Sequence, residues 1–274
     1  MKLFSLTQTL LTACVSAIAT SVLFGASAEA ATFAFSRSEV IFGNFNLTPE
    51  SQTTSTNTNT NTVAINGVVT ANSDAEAVFL PEPPVGGNFS VSQVSGQGAE
   101  YTGVAQSLAR VIGLFLMPQD ANGVFKFDFS AGLILETAID DPSFEQATAN
   151  GTVEFAIFAG ADPTALSLVD SFTLAGGLNS AAGSDFLTKD KTANLLVSQP
   201  VFSKLFGGLN ESAIAVIEGS YERTFDVGTY ISLVETKINA ANAQAVPEPA
   251  TILATALAGA TGVVLKRRKL LKSK

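Results

Sequence analysis

The side chains that most often carry chemistry are nearly absent from this chain. It has no histidine and a single cysteine, Cys14. A serine–histidine–aspartate or cysteine–histidine site therefore cannot be built, and the usual general base and commonest metal ligand are missing. Carboxylates remain. Asp128, Glu136, Asp140, Asp141 and Glu145 form the densest acidic stretch, and two carboxyls held ~5–9 Å apart could cleave a glycosidic bond. Asp140-Asp141-Pro142 reads first as a solvated turn, second as a calcium site through Asp140 and Asp141, and last as part of a catalytic pair. Asp120-Ala121-Asn122-Gly123 resembles the opening of a calcium loop, but Ala131 stands where the closing glutamate belongs, so it reads as a turn. The expectation is a protein with no catalytic residues and no cofactor.

A sugar-binding platform calls for exposed tryptophan or tyrosine. Tryptophan is absent and tyrosine is limited to Tyr101, Tyr221 and Tyr230. Tyr221 and Tyr230 flank Gly228 and could share a face; ordinary packing is the simpler reading of both.

Any such groups must be positioned by β-strands. Phe125-Lys126-Phe127-Asp128-Phe129 places three rings on one face and two charges on the other, as a half-buried antiparallel strand requires. Comparable runs occur at Thr32 to Phe35, Val40 to Leu47, Val63 to Thr70, Ala77 to Leu80, Val111 to Met117, Gly132 to Ala138, Thr152 to Phe158, Leu166 to Leu174, Ala213 to Tyr221 and Tyr230 to Ile238. With no long helical pattern between them, they predict an all-β body over 31–245, an antiparallel β-sandwich or jelly roll. Asn194 to Phe206, interrupted by Pro200, is the one candidate for a short helix. The polar Thr/Asn segment 48–62 reads as a loop in preference to a polar edge strand or a modified stalk. Pro81-Glu82-Pro83 reads as a stiff surface connection.

Both termini carry the marks of export. Met1-Lys2 gives a positive start, Leu10 to Phe24 an apolar stretch, and Ala28-Glu29-Ala30 an A-x-A-like cleavage site through Ala28 and Ala30. This predicts a signal peptide over 1–30 that contains Cys14, leaving the body without a thiol. Between Ala31 and Val246, eight Lys and Arg face twenty-two Asp and Glu, a formal charge of fourteen negative. So acidic a body is repelled by nucleic acid.

At the carboxyl end Pro247-Glu248-Pro249 precedes an uncharged apolar run, Thr251 to Leu265, and then Lys266-Arg267-Arg268-Lys269. The proline-framed glutamate interrupts the chain, the run predicts a single transmembrane helix over 251–265, and the basic cluster at 266–269 stays on the cytoplasmic side. Fifteen residues at ~1.5 Å each cover about 23 Å against the ~30 Å hydrocarbon core, a length suited to transient anchoring. Pro81-Glu82-Pro83 has neither the run nor the basic cluster after it, so the tripeptide alone is not the signal.

In that order, the segment 246–272 resembles a PEP-CTERM sorting domain, in a form similar to the one common in cyanobacteria. The resemblance covers only this tail and the signal peptide. It implies an exported protein of the cell envelope, surface or extracellular matrix, associated with exopolysaccharide or biofilm. It also implies an exosortase that recognises Pro247, Glu248 and Pro249 while Lys266, Arg267, Arg268 and Lys269 act as the cytoplasmic stop. These are positions on which another enzyme acts. The resulting expectation is a non-catalytic surface or matrix protein, with a carbohydrate-binding module as the alternative and a carboxylate-dependent glycosidase behind it.

Overall fold

The computed structural model describes residues 31–119, 123–181 and 183–246. The signal peptide, the Pro247-Glu248-Pro249 motif, the predicted transmembrane run and the basic cluster lie outside the described residues, as do Asp120, Ala121 and Asn122.

Ten strands follow one another: β1 (Ala31–Gly43), β2 (Ser51–Pro81), β3 (Pro84–Leu116), β4 (Val124–Ala138), β5 (Glu145–Gly160), β6 (Ser167–Asn179), β7 (Phe186–Lys191), β8 (Leu195–Leu205), β9 (Asn210–Thr224) and β10 (Tyr230–Ala245). All belong to one antiparallel sheet ordered β7-β6-β5-β10-β3-β1-β4-β9-β8, with β2 paired to β3. The all-β reading holds. The sandwich or jelly roll is corrected: the hydrogen-bond ladder runs unbroken through all ten strands, and the sheet curls into a flattened, nearly closed barrel. Period-two patterning reports one buried face per strand, and that face looks the same in two separate sheets and in one sheet that curls.

The curl depends on β3. Its first part, Gly86 to Gln97, pairs with β1, and its second, Tyr101 to Leu116, pairs with β10. Between them the β2–β3 ladder slips register at Ala64, Asn66 and Gly67. Gly98 has φ 106°, and a Cβ on it would lie 2.6 Å from the Gly67 Cα, so the chain folds over only because neither residue has a side chain. Tyr101 then packs its ring flat against Gly96, where an added Cβ would lie 2.0 Å from a ring carbon.

Two other expectations change. Ser51 to Thr62 is strand, the first part of β2, because alternating β-branched threonine suits a pleated edge. Asn194 to Phe206 holds β8 rather than a helix, with Pro200 at an irregularity between Ser198 and Val201 where β8 and β9 lose register. Pro81 to Pro84 is the tip of the long β2–β3 hairpin.

Candidate functional site

The interior is divided along its length. One half is aromatic: Phe42, Phe115, Phe125, Phe127, Phe155 and Phe172 are almost fully buried. Phe155 stacks on Phe172 with centroids 4.9 Å apart and meets Phe129 edge-on at 4.9 Å and Phe42 at 5.2 Å. Beyond it lies a polar layer built from β1, β3 and β10, and past that a small alanine-rich cluster of Ala34, Ala105, Ala147, Ala241 and Ala243.

The polar layer is the strongest concentration of chemical groups among the described residues. β10 turns Glu235, Lys237 and Asn239 inward, in phase with Ile231, Leu233 and Ala241, and all three are fully buried. The Lys237 ammonium lies 2.6 Å from Glu235 Oε1, and the Asn88 amide donates to Glu235 Oε2. Asn239 Nδ2 donates to Ser38 Oγ at 2.7 Å, to the Ser90 carbonyl at 2.9 Å and to the Ser90 hydroxyl. Ser36 Oγ lies 2.6 Å from both Asn239 Oδ1 and the Asn150 carbonyl, and Ser92 and Ser107 close the network. Burial pulls the Lys237 amine down to about 8 against the attraction of Glu235, and burial raises the Glu235 carboxyl against the attraction of Lys237. Desolvation outweighs the pair's mutual attraction on both sides.

That chemistry is turned entirely inward. A Cβ at Gly151 would sit 2.4 Å from a Leu133 methyl and 2.9 Å from Asn239 Oδ1, so the layer is packed tightly enough to admit nothing there. Its hydrogen bonds go to other members of the layer or to backbone, which makes it a structural network. The side-chain amide oxygen of Asn88, Oδ1, is an exception, buried with no hydrogen-bond partner. A cleft of about 480 Å³ lies elsewhere, where the β2–β3 hairpin folds over midway, lined by Asn66, Gly67, Gln97, Gly98, Glu145 and Val246 among others.

Of the acidic residues, Asp140, Asp141 and Glu145 share one turn, and Asp128 and Glu136 stand apart from it. Asp128 takes Asn44 Nδ2 at 2.7 Å near one end of β4, and Asp140 takes the Ala31 amide at 2.9 Å beyond the other. Glu136 faces outward beside Phe35 and Ser212, its carboxyl raised by burial. It stays on β4, while Asp140 lies two residues past the end of that strand, at the Ala31 amide. Asp141 is spent on its own turn. Its Oδ1 accepts the Ser143 amide at 2.8 Å, and Glu145 Oε2 accepts the amides of Asp140 and Asp141. Among the described residues no group of three or more Asp, Glu, His or Cys could hold a metal ion.

The tyrosines are equally committed. Tyr221 is fully buried, stacked on Phe127 at 5.2 Å, and its hydroxyl donates to Asp170 at 2.9 Å. Tyr101 bonds Thr32, and Tyr230 is half-buried beside Leu116 and Gly160. Tyr221 and Tyr230 therefore make no sugar platform.

Tyr221 instead belongs to the clasp at the seam of the barrel. The edge strands β7 and β8 are consecutive in sequence but share no ladder. Asp170 on β6 reaches across to Arg223 at 2.8 Å, to Tyr221 and to Asn194, while Lys204 Nζ donates to the Leu187 carbonyl at 3.1 Å. Burial alone would raise the Asp170 carboxyl. The donors Arg223, Thr192, Asn194 and Tyr221 together outweigh it and hold the carboxyl below the ordinary range. Burial and the neighbouring Asp170 push the Tyr221 hydroxyl upward. The sequence reading missed both the polar layer and the clasp. The layer left a signal, since Ser36, Ser38, Glu235, Lys237 and Asn239 share the phase of buried neighbours.

No known family profile and no curated protein matches the chain. Among solved structures it is similar to the translocator domain of autotransporter NalP from Neisseria meningitidis, over 80% of this chain and 97% of that one, at 10% identity and a TM-score of 0.16. A score that low carries no argument about fold or activity. The barrel's own surfaces are more informative. Lys126, Asp128, Asn150, Glu154, Glu218 and Glu222 stand exposed on its outer wall while phenylalanine fills one half of its interior. That is the reverse of a lipid-facing barrel, which shows an apolar band outside and polar groups within. Among the described residues no helix is long and apolar enough to cross a membrane.

Proposed function

We propose that this chain is an exported surface or extracellular-matrix protein, sorted through its carboxyl-terminal tail, whose barrel is a non-catalytic acidic body. The observation that carries the reading is the ordered tail: Pro247-Glu248-Pro249, the uncharged run from Thr251 to Leu265, then Lys266 to Lys269. Two features of the fold support it. Among the described residues the last strand, β10, ends at Ala245, two positions before Pro247 in the sequence. Asp141 is spent on its own turn, and Asp170 and Tyr221 on the clasp and the core.

On this reading an exosortase acts on the tail, the membrane contact is transient, and the body resides in the envelope or its polysaccharide layer. The test replaces Pro247, Glu248 and Pro249 with alanine in the producing cell. The triple variant is expected to stay in the membrane fraction with Lys274 intact, while the parent protein leaves it. Identical fractionation of the two proteins would overturn the sorting role.

A further inference from the structure

β-sheet edges offer unpaired backbone groups, and soluble proteins guard them with charge, proline, bulges or brevity. Two of this sheet's edges are guarded in that way. β7 is six residues long and carries Lys189, Asp190 and Lys191; β8 has Pro200 at a break in register and carries Lys204. The second part of β2 carries Asp74 and Glu76.

The first part of β2 has none of these protections. From Ser51 to Ser73 there is no charged residue and no proline, although the body around it is strongly acidic. Ser51 to Ala64 pairs with β3 on one side only, and every residue of the segment is exposed. The Asn59 carbonyl takes a long contact of 3.5 Å from Ser73 Oγ, on the second part of β2.

The segment also matches itself. Thr54, Thr56, Thr58, Thr60 and Thr62 pair with Val111, Ala109, Ser107, Ala105 and Gly103, so the threonines share the inward face and Asn57, Asn59 and Asn61 the outward one. Turned antiparallel about Asn59, a second copy sets Thr56 opposite Thr62, Asn57 opposite Asn61 and Thr58 opposite Thr60. A slip of two residues preserves the match. Like faces like, as cross-strand threonine pairs favour.

We infer that the Ser51–Ala64 edge of β2 is a self-association surface, where two copies of this chain join their sheets antiparallel into a two-fold dimer. This goes beyond the sorting reading and does not depend on the tail. The pairing is isologous and consumes the unguarded edge, so it closes at two copies rather than growing into a fibre. Both bodies are acidic, and Asp74 and Glu76 lie on the layer beside the joint, so salt should tighten the dimer by screening their repulsion.

Cysteine trapping on the exported protein tests this cleanly, because its folded body contains no cysteine. Directly opposed antiparallel residues have Cα atoms ~4.5–5.5 Å apart, within reach of a disulfide. Under mild oxidation Asn59→Cys is expected to give a disulfide-linked dimer, while Thr188→Cys on the guarded β7 edge stays monomeric. In sedimentation velocity, Asn59→Lys should weaken association at least tenfold with an unchanged circular dichroism spectrum, and raising NaCl from 50 mM to 500 mM should strengthen association of the parent protein. A protein monomeric at 100 µM in high salt, or Thr58→Cys, Asn59→Cys and Thr60→Cys that all fail to cross-link, would overturn the inference.

Discussion

The two halves of the barrel interior solve the same packing problem with opposite chemistry. Around Phe155 the strands meet through aromatic rings, whose contribution comes from area removed from water and from ring-on-ring geometry that tolerates small adjustments. Around Asn239 they meet through hydroxyls, amides and one ion pair, where each group must find a partner within a few tenths of an ångström. The difference teaches where each half is vulnerable. The aromatic half loses stability in proportion to volume removed, and the polar half loses it when a single partner is left alone.

Phe155→Ala should remove about 3–5 kcal/mol, because it opens a cavity among four rings; chemical denaturation checks it. Lys237→Met should cost about as much, ~3–5 kcal/mol, by leaving Glu235 buried without its cation. The aromatic half offers no rescue of the kind expected here: adding Glu235→Leu to Lys237→Met should restore the loss and end neutral or ~1–4 kcal/mol above the parent, since the desolvation cost of both charges disappears. A double variant as unstable as the single one would mean that the pair is net stabilising. Outside the interior, Asp170→Ala removes the common acceptor of the clasp and leaves the Tyr221 hydroxyl buried and unpaired, at a cost of about 1–3 kcal/mol.

The smallest effect concerns pH. The folded Lys237 amine is held near 8, below its unfolded value of 10.5. Between those values the unfolded chain binds the extra proton, so stability should rise as pH increases from about 8. Near pH 10 the gain should stop, because Tyr101 and Tyr221 have raised hydroxyls in the folded state and begin to favour unfolding there. Melting temperatures measured from pH 7.5 to 9.5 should climb for the parent protein and stay flat for the Glu235→Leu, Lys237→Met double variant.

Much of the fold was legible because period-two patterning is a local property. Phe125 to Phe129 and Ala213 to Tyr221 lie within strands, facing as their alternation says. What the pattern could not carry is long-range. Nothing near Gly67 or Gly98 announces that the two glycines meet and fold the sheet over, since Gly67 sits inside the expected strand Val63 to Thr70 and Gly98 lies outside every expected run. The Thr/Asn segment reads as loop because polarity implies solvent, and an edge strand with solvent on both faces is just as polar. For the candidate site, the polar layer was hidden by the assumption that Ser, Glu and Lys point outward; phase along β10 overrides it, because Lys237 sits between buried Glu235 and Asn239 in the same alternation as Leu233 and Ala241.

Export followed by removal of the tail is the central claim, and intact-mass analysis of the protein from the medium, the washed envelope and the cytosol tests both at once. It predicts an extracytoplasmic species that begins near Ala31 and ends near Pro249. A cytosolic species running from Met1 to Lys274, with no shortened form outside, would contradict it.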